Sequence, residues 1–349
     1  MTVRSTQYFS RALSLSFVVL ACVASAMAEP AQMTVQQLRA ARKQLARQPR
    51  RIIFNNDGCD VLYFPGKLTT TPENLLGLRT TPLVESQVDS IAYCSISSGF
   101  SYFTHNTKTG QVLSVQPSAF GLHPQDRHIT RELIDQGADC LELMVRFAHR
   151  QHREIFWSMR MNDTHDAEYS PQKPYLLYPK LKMDHPDWLV GNPINRSRYG
   201  RWSSVDYAVP EIRQLAFSYI EEVCRNYDVD GVELDFFRHL CYFKSTTFGG
   251  KASQAEREMM TGLLKRVRLM SEEQGARRGR PILISVRVPD SVDFCREMGL
   301  DIERWLGEGL VDMLITTCYF RLNPWSYSVQ LGHRYGVPVT TFKLSLCYC

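Results

Sequence analysis

Two carboxylates, Glu233 and Asp235, stand two residues apart inside the run Val229-Asp-Gly-Val-Glu-Leu-Asp-Phe-Phe237. Side chains on an extended strand repeat every second residue, so both point the same way. Like charges placed that close favour one protonated and one ionised carboxyl. Glycosidic bond cleavage needs that division between a proton donor and a nucleophile or base. A structural role competes with it, in which Arg160 or Arg287 holds one of the pair as a buried ion pair.

Similar clusters recur along the chain. They read Asn55-Asn56-Asp57, Arg160-Met-Asn162-Asp163-Thr-His165-Asp166, Arg238-His239, Arg287-Val-Pro-Asp290 and Tyr319-Phe-Arg321. Each follows an apolar run, and a lone strand-end Asp often does no more than cap the next helix. Five in one chain make a mouth rich in carboxylates and arginines. The candidates for catalysis are Asp235, Glu233 and Asp163, with Asp235 the residue whose loss should hurt most. Candidates for substrate contact are Asn56, Asp57, Arg160, Asn162, His165, Asp166, Arg238, His239, Arg287 and Tyr319. Trp202 joins them from a stretch at 164–205 that also carries Tyr169, Tyr175, Tyr178, Trp188 and Tyr199. Aromatic rings beside a polar mouth suit sugars, whose C–H faces stack while their hydroxyls hydrogen-bond. About half of these rings are expected only to pack the insertion down. His165, His185 and His239 lack H-x-H or H-E-x-x-H spacing, and no G-x-S-x-G is present. A zinc hydrolase and a serine esterase are therefore not expected, and no metal or cofactor is called for.

Strands must position these groups, and seven are legible. Apolar runs begin at Arg51, Asp89, Glu154, Val229, Pro281 and Val311, with a seventh near Val337. Helical patterns lie between them at 130–153, from Pro210 onward and at 253–275, and alternation of this kind demands parallel pairing. Ile155, Trp157 and Met159 alternate with Ser158 and Arg160, and Ile282, Ile284 and Val286 with Ser285 and Arg287. One apolar and one partly polar face fits a barrel better than an open sheet covered on both sides. No glycine-rich phosphate loop follows a strand. The fold expected over 51–349 is an α/β (β/α)8 TIM-type barrel, incomplete at the C-terminus because only seven strands are counted. The edges of strands one and seven should then be unpaired and the chain poorly soluble.

The 349 residues are 44% hydrophobic and 22% charged, ordinary globular values that exclude disorder. Residues 1–28 read as a secretory signal: Arg4 and Arg11, an apolar run from Ala12 to Ala24, then Ala26-Met-Ala28 at the cut. Cleavage after Ala28 would give a secreted or periplasmic protein with no membrane span. A lipoprotein cut at Cys22 is the weaker alternative. Removing the two signal arginines lowers the formal charge of +5 to +3, too little to suggest a nucleic-acid partner. Residues 29–50 read as a short, solvated leader helix. Ten cysteines without C-x-x-C spacing fit buried thiols better than a disulfide framework.

Asp230-Gly-Val-Glu-Leu-Asp235-Phe resembles the fourth-strand signature of retaining glycosidase barrels. With Ile53-Phe-Asn-Asn-Asp-Gly58 and Arg160-Met-Asn-Asp-Thr-His-Asp166, the chain resembles the glycosyl hydrolase-like family 10 group of secreted bacterial proteins over roughly 50–340. Asp230, Gly231, Asp235 and His239 are also similar to a run in the alpha-amylase superfamily, which would make Asp235 the nucleophile. Glu233 replaces that superfamily's arginine, and no fifth-strand Glu follows. Chitinase-type barrels carry their acid where Phe237 stands. The proton donor thus stays open between Asp163, Asp166 and Glu233. The resemblance implies a secreted glycoside hydrolase acting on a polysaccharide or glycan. The alternative is a catalytically silent barrel that binds carbohydrate or a cell-surface partner.

Overall fold

The computed structural model describes residues 32–116, 126–194, 197–198, 200–318 and 322–341. Seven strands form one parallel sheet: β1 Ile53–Asn56, β2 Ser90–Tyr93, β3 Glu154–Arg160, β4 Gly231–Asp235, β5 Leu283–Pro289, β6 Met313–Thr317 and β7 Val339–Thr341. Each pairs with the next in chain order. This is the sheet of an incomplete (β/α) barrel. Among the described residues no pairing joins β1 to β7, and the pairings between β1 and β3 outside the sheet are two-residue ladders and one bridge.

The alternation seen in the sequence sorts the strand residues as expected. Ile155, Trp157, Met159, Val232, Leu234, Ile284 and Val286 are all buried in the main core. The opposite parity lines the lumen in layers set by register. The bottom layer is apolar and joins Phe156, Leu283 and Met313 to Ala46. Gly231 pairs with Phe156 and Leu283, where a Cβ would lie 2.3 Å from the Phe156 ring. Only glycine leaves room for that ring. Above it come Ser158, Glu233 and Ser285, then Arg160, Asp235 and Arg287 at the mouth.

Helix α1, Val35–Ala46, begins with a Thr34–Gln37 capping box. It is docked rather than solvated. Arg39 and Arg42 meet Glu272 at 2.8 and 2.6 Å, and Arg42 and Arg268 meet Asp312 at 3.2 and 2.6 Å. Arg42, Arg268, Glu272 and Asp312 thus form a buried guanidinium–carboxylate junction with Arg39 at its exposed edge, and Ala46 plugs the bottom of the lumen. The single helix expected at 130–153 is two. Thr130–Asp135 ends before Gly137 at φ +79°, and Asp139 caps helix α2, Cys140–Arg150. Helix α3, Pro210–Asn226, starts on its proline as expected. Helix α4, Gln254–Arg277, carries Glu272 and Arg268.

The seven described cysteines are free thiols, and Cys94, Cys140, Cys224, Cys241 and Cys295 are buried. Burial pushes the Cys94 thiol up, so it packs as a small apolar group. Residues 1–28, Cys347 and Cys349 lie outside the described residues. No helix among the described residues is long and apolar enough to cross a membrane.

Candidate active site

The strand-end groups separate into a cross-linked floor and an open cavity above it. In the floor, Arg287 reaches from β5 to Glu233 Oε1 at 2.7 Å, to Asn55 Oδ1 of β1 at 2.6 Å and to Asp235 Oδ2 at 3.5 Å. Ser158 donates to the same Glu233 oxygen at 2.6 Å, while Glu233 Oε2 is buried without a partner. Asp235 Oδ1 accepts the Phe237 N–H at 2.9 Å. Burial works against the Arg287 charge, but Glu233 and Asp235 outweigh it and raise its pKa. The ion pair weighed from the sequence for Glu233 is therefore present.

Asp163 is the second anchor. It is fully buried and accepts from Arg160 at 2.9 Å and from the His165 ring and backbone at 2.5 and 2.9 Å. Burial favours its neutral form, yet Arg160, His165 and His239 outweigh burial and hold the carboxyl well below the usual range. A fixed anion of this kind is poorly suited to the proton-donor role expected of it. Gly99 makes this packing feasible, since a Cβ there would lie 2.4 Å from the Asp163 nitrogen. Asp57 is also held down: burial is outweighed by Arg160 and by Arg79, which lies 2.9 Å away.

Three predicted contact residues instead hold loops in place. Asn56 bonds Asp60 and the Gly58 N–H at 3.1 and 3.0 Å. Asn162 donates to the Val205 and Cys241 carbonyls at 3.0 and 2.6 Å and accepts the Val205 N–H at 3.1 Å. Asp166 meets Lys182 and Ser203, both at 2.5 Å, with no exposure on the ion pair. The Asn162 bonds to Val205 pin the insertion to the barrel, and those of Asp166 hold the insertion together. Tyr169 and Tyr178 stack at 3.9 Å, as do His185 and Trp188 at 3.8 Å, so these rings serve packing.

Above the floor lies a cavity of about 1000 Å³ lined by Trp202, Phe237, Phe294, His239, Asp290 and Arg198, among others. Of the predicted residues Trp202 and His239 line it, Arg238 lies 3.5 Å from Asp163, and Tyr319 is outside the described residues. His239 Nδ1 accepts the Thr164 N–H at 3.0 Å, which leaves its proton on Nε2. Burial pushes this imidazole down to about 4, with Asp163 acting in the opposite sense. His239 is therefore a neutral donor at the cavity wall. Asp290, Phe294, Thr317 and Cys318 are lining residues that the site prediction omits. Their signal was position alone: Asp290, Thr317 and Cys318 lie at or just past the end of β5 or β6, and Phe294 sits in the helix Val292–Glu297 that follows β5.

Asp163, His165 and His239 bring one ligand-type atom each within 4.8 Å of the others. The atoms that face one another are already committed. Asp163 is bound to Arg160, His165 gives Nδ1 to Asp163, and His239 Nδ1 accepts a backbone N–H. A metal on His239 Nε2 would need a proton on Nδ1, which would then face the Thr164 N–H instead of the acceptor that a metal-bound imidazole usually meets.

Residues 102–257 match the model of the family described as glycosyl hydrolase-like 10. The resemblance read from the third and fourth strand ends is borne out there, while the first-strand motif lies outside the matched span. A stretch of 125 residues is 29% identical to the protein called glycosyl hydrolase YngK of Bacillus subtilis (strain 168). It covers 34% of this chain and 21% of that protein. The chain is also similar to a solved alpha-L-fucosidase isoenzyme 2 from Paenibacillus thiaminolyticus, at 13% identity and a TM-score of 0.42, covering 84% of this chain and 46% of that one. A cycloisomaltooligosaccharide glucanotransferase of Paenibacillus sp. gives 10% identity and a TM-score of 0.48, covering 85% and 39%.

Proposed function

We propose that this chain, glycosyl hydrolase-like over residues 102–257, is an exported glycoside hydrolase that cleaves a polysaccharide or glycan in the cavity above β4 and β5. The observation that carries the reading is the composition of that cavity. Trp202, Phe237 and Phe294 offer apolar faces, while His239, Asp290 and Arg198 offer polar contacts beside them. A sugar presents that same alternation of C–H faces and hydroxyls. Asp235 is the proposed reacting carboxylate. It lies at the mouth end of β4, and the Phe237 N–H it accepts belongs to a residue of the cavity wall.

The test is a glycan panel with purified protein, reading reducing-end release and binding together. Release from at least one glycan, lost by orders of magnitude in Asp235→Asn, is the expected outcome. Binding without release would favour a carbohydrate-binding barrel, a reading consistent with the arginine contacts on Glu233 and Asp235. Export rests on the first 28 residues, and the intact mass of the secreted form should begin at Glu29.

A further inference from the structure

Among the described residues Asp290 is the one acidic group lining the cavity. Glu233, Asp235, Asp163 and Asp57 each have an arginine within ion-pair distance, whereas no cation among the described residues stands that close to Asp290. Its placement is rigid. Pro289 ends β5 just before it, its N–H donates to the Thr317 carbonyl at 3.1 Å, and Oδ2 accepts the Asn323 N–H. The Asn323 side chain returns to the Asp290 carbonyl at 2.8 Å. Oδ1 takes no hydrogen bond among the described residues, and the side chain borders the cavity although the residue is only 8% exposed. Register places Arg287 opposite Asp235, and Asp290 follows three residues later, one past the end of β5.

Resting on the hydrolase reading above, we propose that Asp290 is the proton donor to the departing sugar. Its carboxyl gives a proton to the glycosidic oxygen as the anomeric C–O bond breaks, and the sugar leaves as an alcohol. The Asp235 carboxylate bonds to the anomeric carbon as the sugar departs; water then displaces that carboxylate, and the proton the water gives up restores the Asp290 carboxyl. An oriented carboxyl with no guanidinium against it can pass a proton in both directions, which the floor carboxylates are not arranged to do. His239 Nε2–H lies on the same wall as a neutral donor for a substrate hydroxyl.

The test compares wild type with Asp290→Asn on two substrates. One is the glycan that the panel identifies, and the other is the 2,4-dinitrophenyl glycoside of the same sugar, whose leaving group needs no proton. Loss of a general acid should cost about 10²–10⁴-fold on the glycan and less than about tenfold on the dinitrophenyl glycoside. The thermal midpoint should hold, because the amide oxygen of Asn still accepts the Asn323 N–H. Equal losses on both substrates, or no loss on the glycan, would overturn the assignment and leave the hydrolase reading intact. A wild type that binds the glycan and hydrolyses neither substrate would overturn both.

Discussion

The floor and the cavity wall of this barrel are built from the same kinds of residue, a few positions apart on the same strands. In the floor, Glu233 and Asp235 both meet Arg287. In the wall, Asp290 and His239 face about 1000 Å³ of open volume. The difference lies in where the ladder stops. Residues within it sit beside lumenal neighbours less than 5 Å away, so their charges must find counter-charges. Asp290 lies one residue beyond Pro289, the last ladder residue of β5, and His239 lies four beyond Asp235. Past the last paired residues a polar side chain is no longer flanked by lumenal neighbours on both sides, and it can meet a loop or open volume.

That contrast can be broken experimentally. Arg287→Met should have the largest effect on stability, because it leaves Glu233 and Asp235 buried without their counter-charge. A loss of about 3–5 kcal/mol is expected in chemical denaturation. A loss under about 1 kcal/mol would mean that the floor is not a coupled network.

His239 sharpens the contrast through pH. The unfolded imidazole titrates near 6.5 and the folded one at about 4. Between those values the unfolded chain binds the extra proton, so stability falls as pH is lowered from about 6.5 towards 4. The contribution is at most about 3 kcal/mol, and His239→Gln should flatten that limb in a denaturation series against pH. Asp163 acts in a different window. Its folded pKa is depressed, so its contribution is intact above about pH 4 and disappears only at stronger acidity.

Trp202→Ala should lower stability by about 1–3 kcal/mol, because the ring packs on Tyr178 and the core and donates to the Ala167 carbonyl. It should also weaken binding of the panel's best glycan about tenfold by calorimetry, since one stacked face is worth about 1.4 kcal/mol. The smallest effect belongs to Glu168→Gln. Its ion pair with Arg201 is more than half exposed on both sides, and the expected stability change is a few tenths of a kcal/mol. A larger change would show that the rim of the cavity is coupled to the floor.

All seven strands were legible as apolar runs, with a clear period of two in the third, fourth and fifth, and the parallel order follows from the helices between them. The docked α1 was not. Its arginines read as a solvated face, and only Glu272 and Asp312, more than two hundred residues away, draw Arg42 inward. The break at Gly137 was missed because apolar spacing continues across it, while a φ of +79° ends the helix. Within the site, residue type identified the polar strand ends but could not separate a ligand contact from a loop anchor. Asn162 and Asp166 look as suitable as His239, yet their hydrogen bonds are spent on Val205, Cys241, Lys182 and Ser203.

The amino-acid order alone determined the strand count, the lumenal parity of Glu233, Asp235, Arg160 and Arg287, and the resemblance carried by the third and fourth strand ends. Those properties are local, set by alternation and by short motifs. Tertiary structure alone decided which charge each carboxylate meets and which side chains reach open volume. Both depend on register across the lumen and on where each ladder ends, and they bring together Asn55 and Arg287, or Asp290 and Asn323, from separate elements. Asp290 was visible as a strand-end residue, but only its emergence beyond the last ladder pair distinguishes it from the arginine-bound acids below.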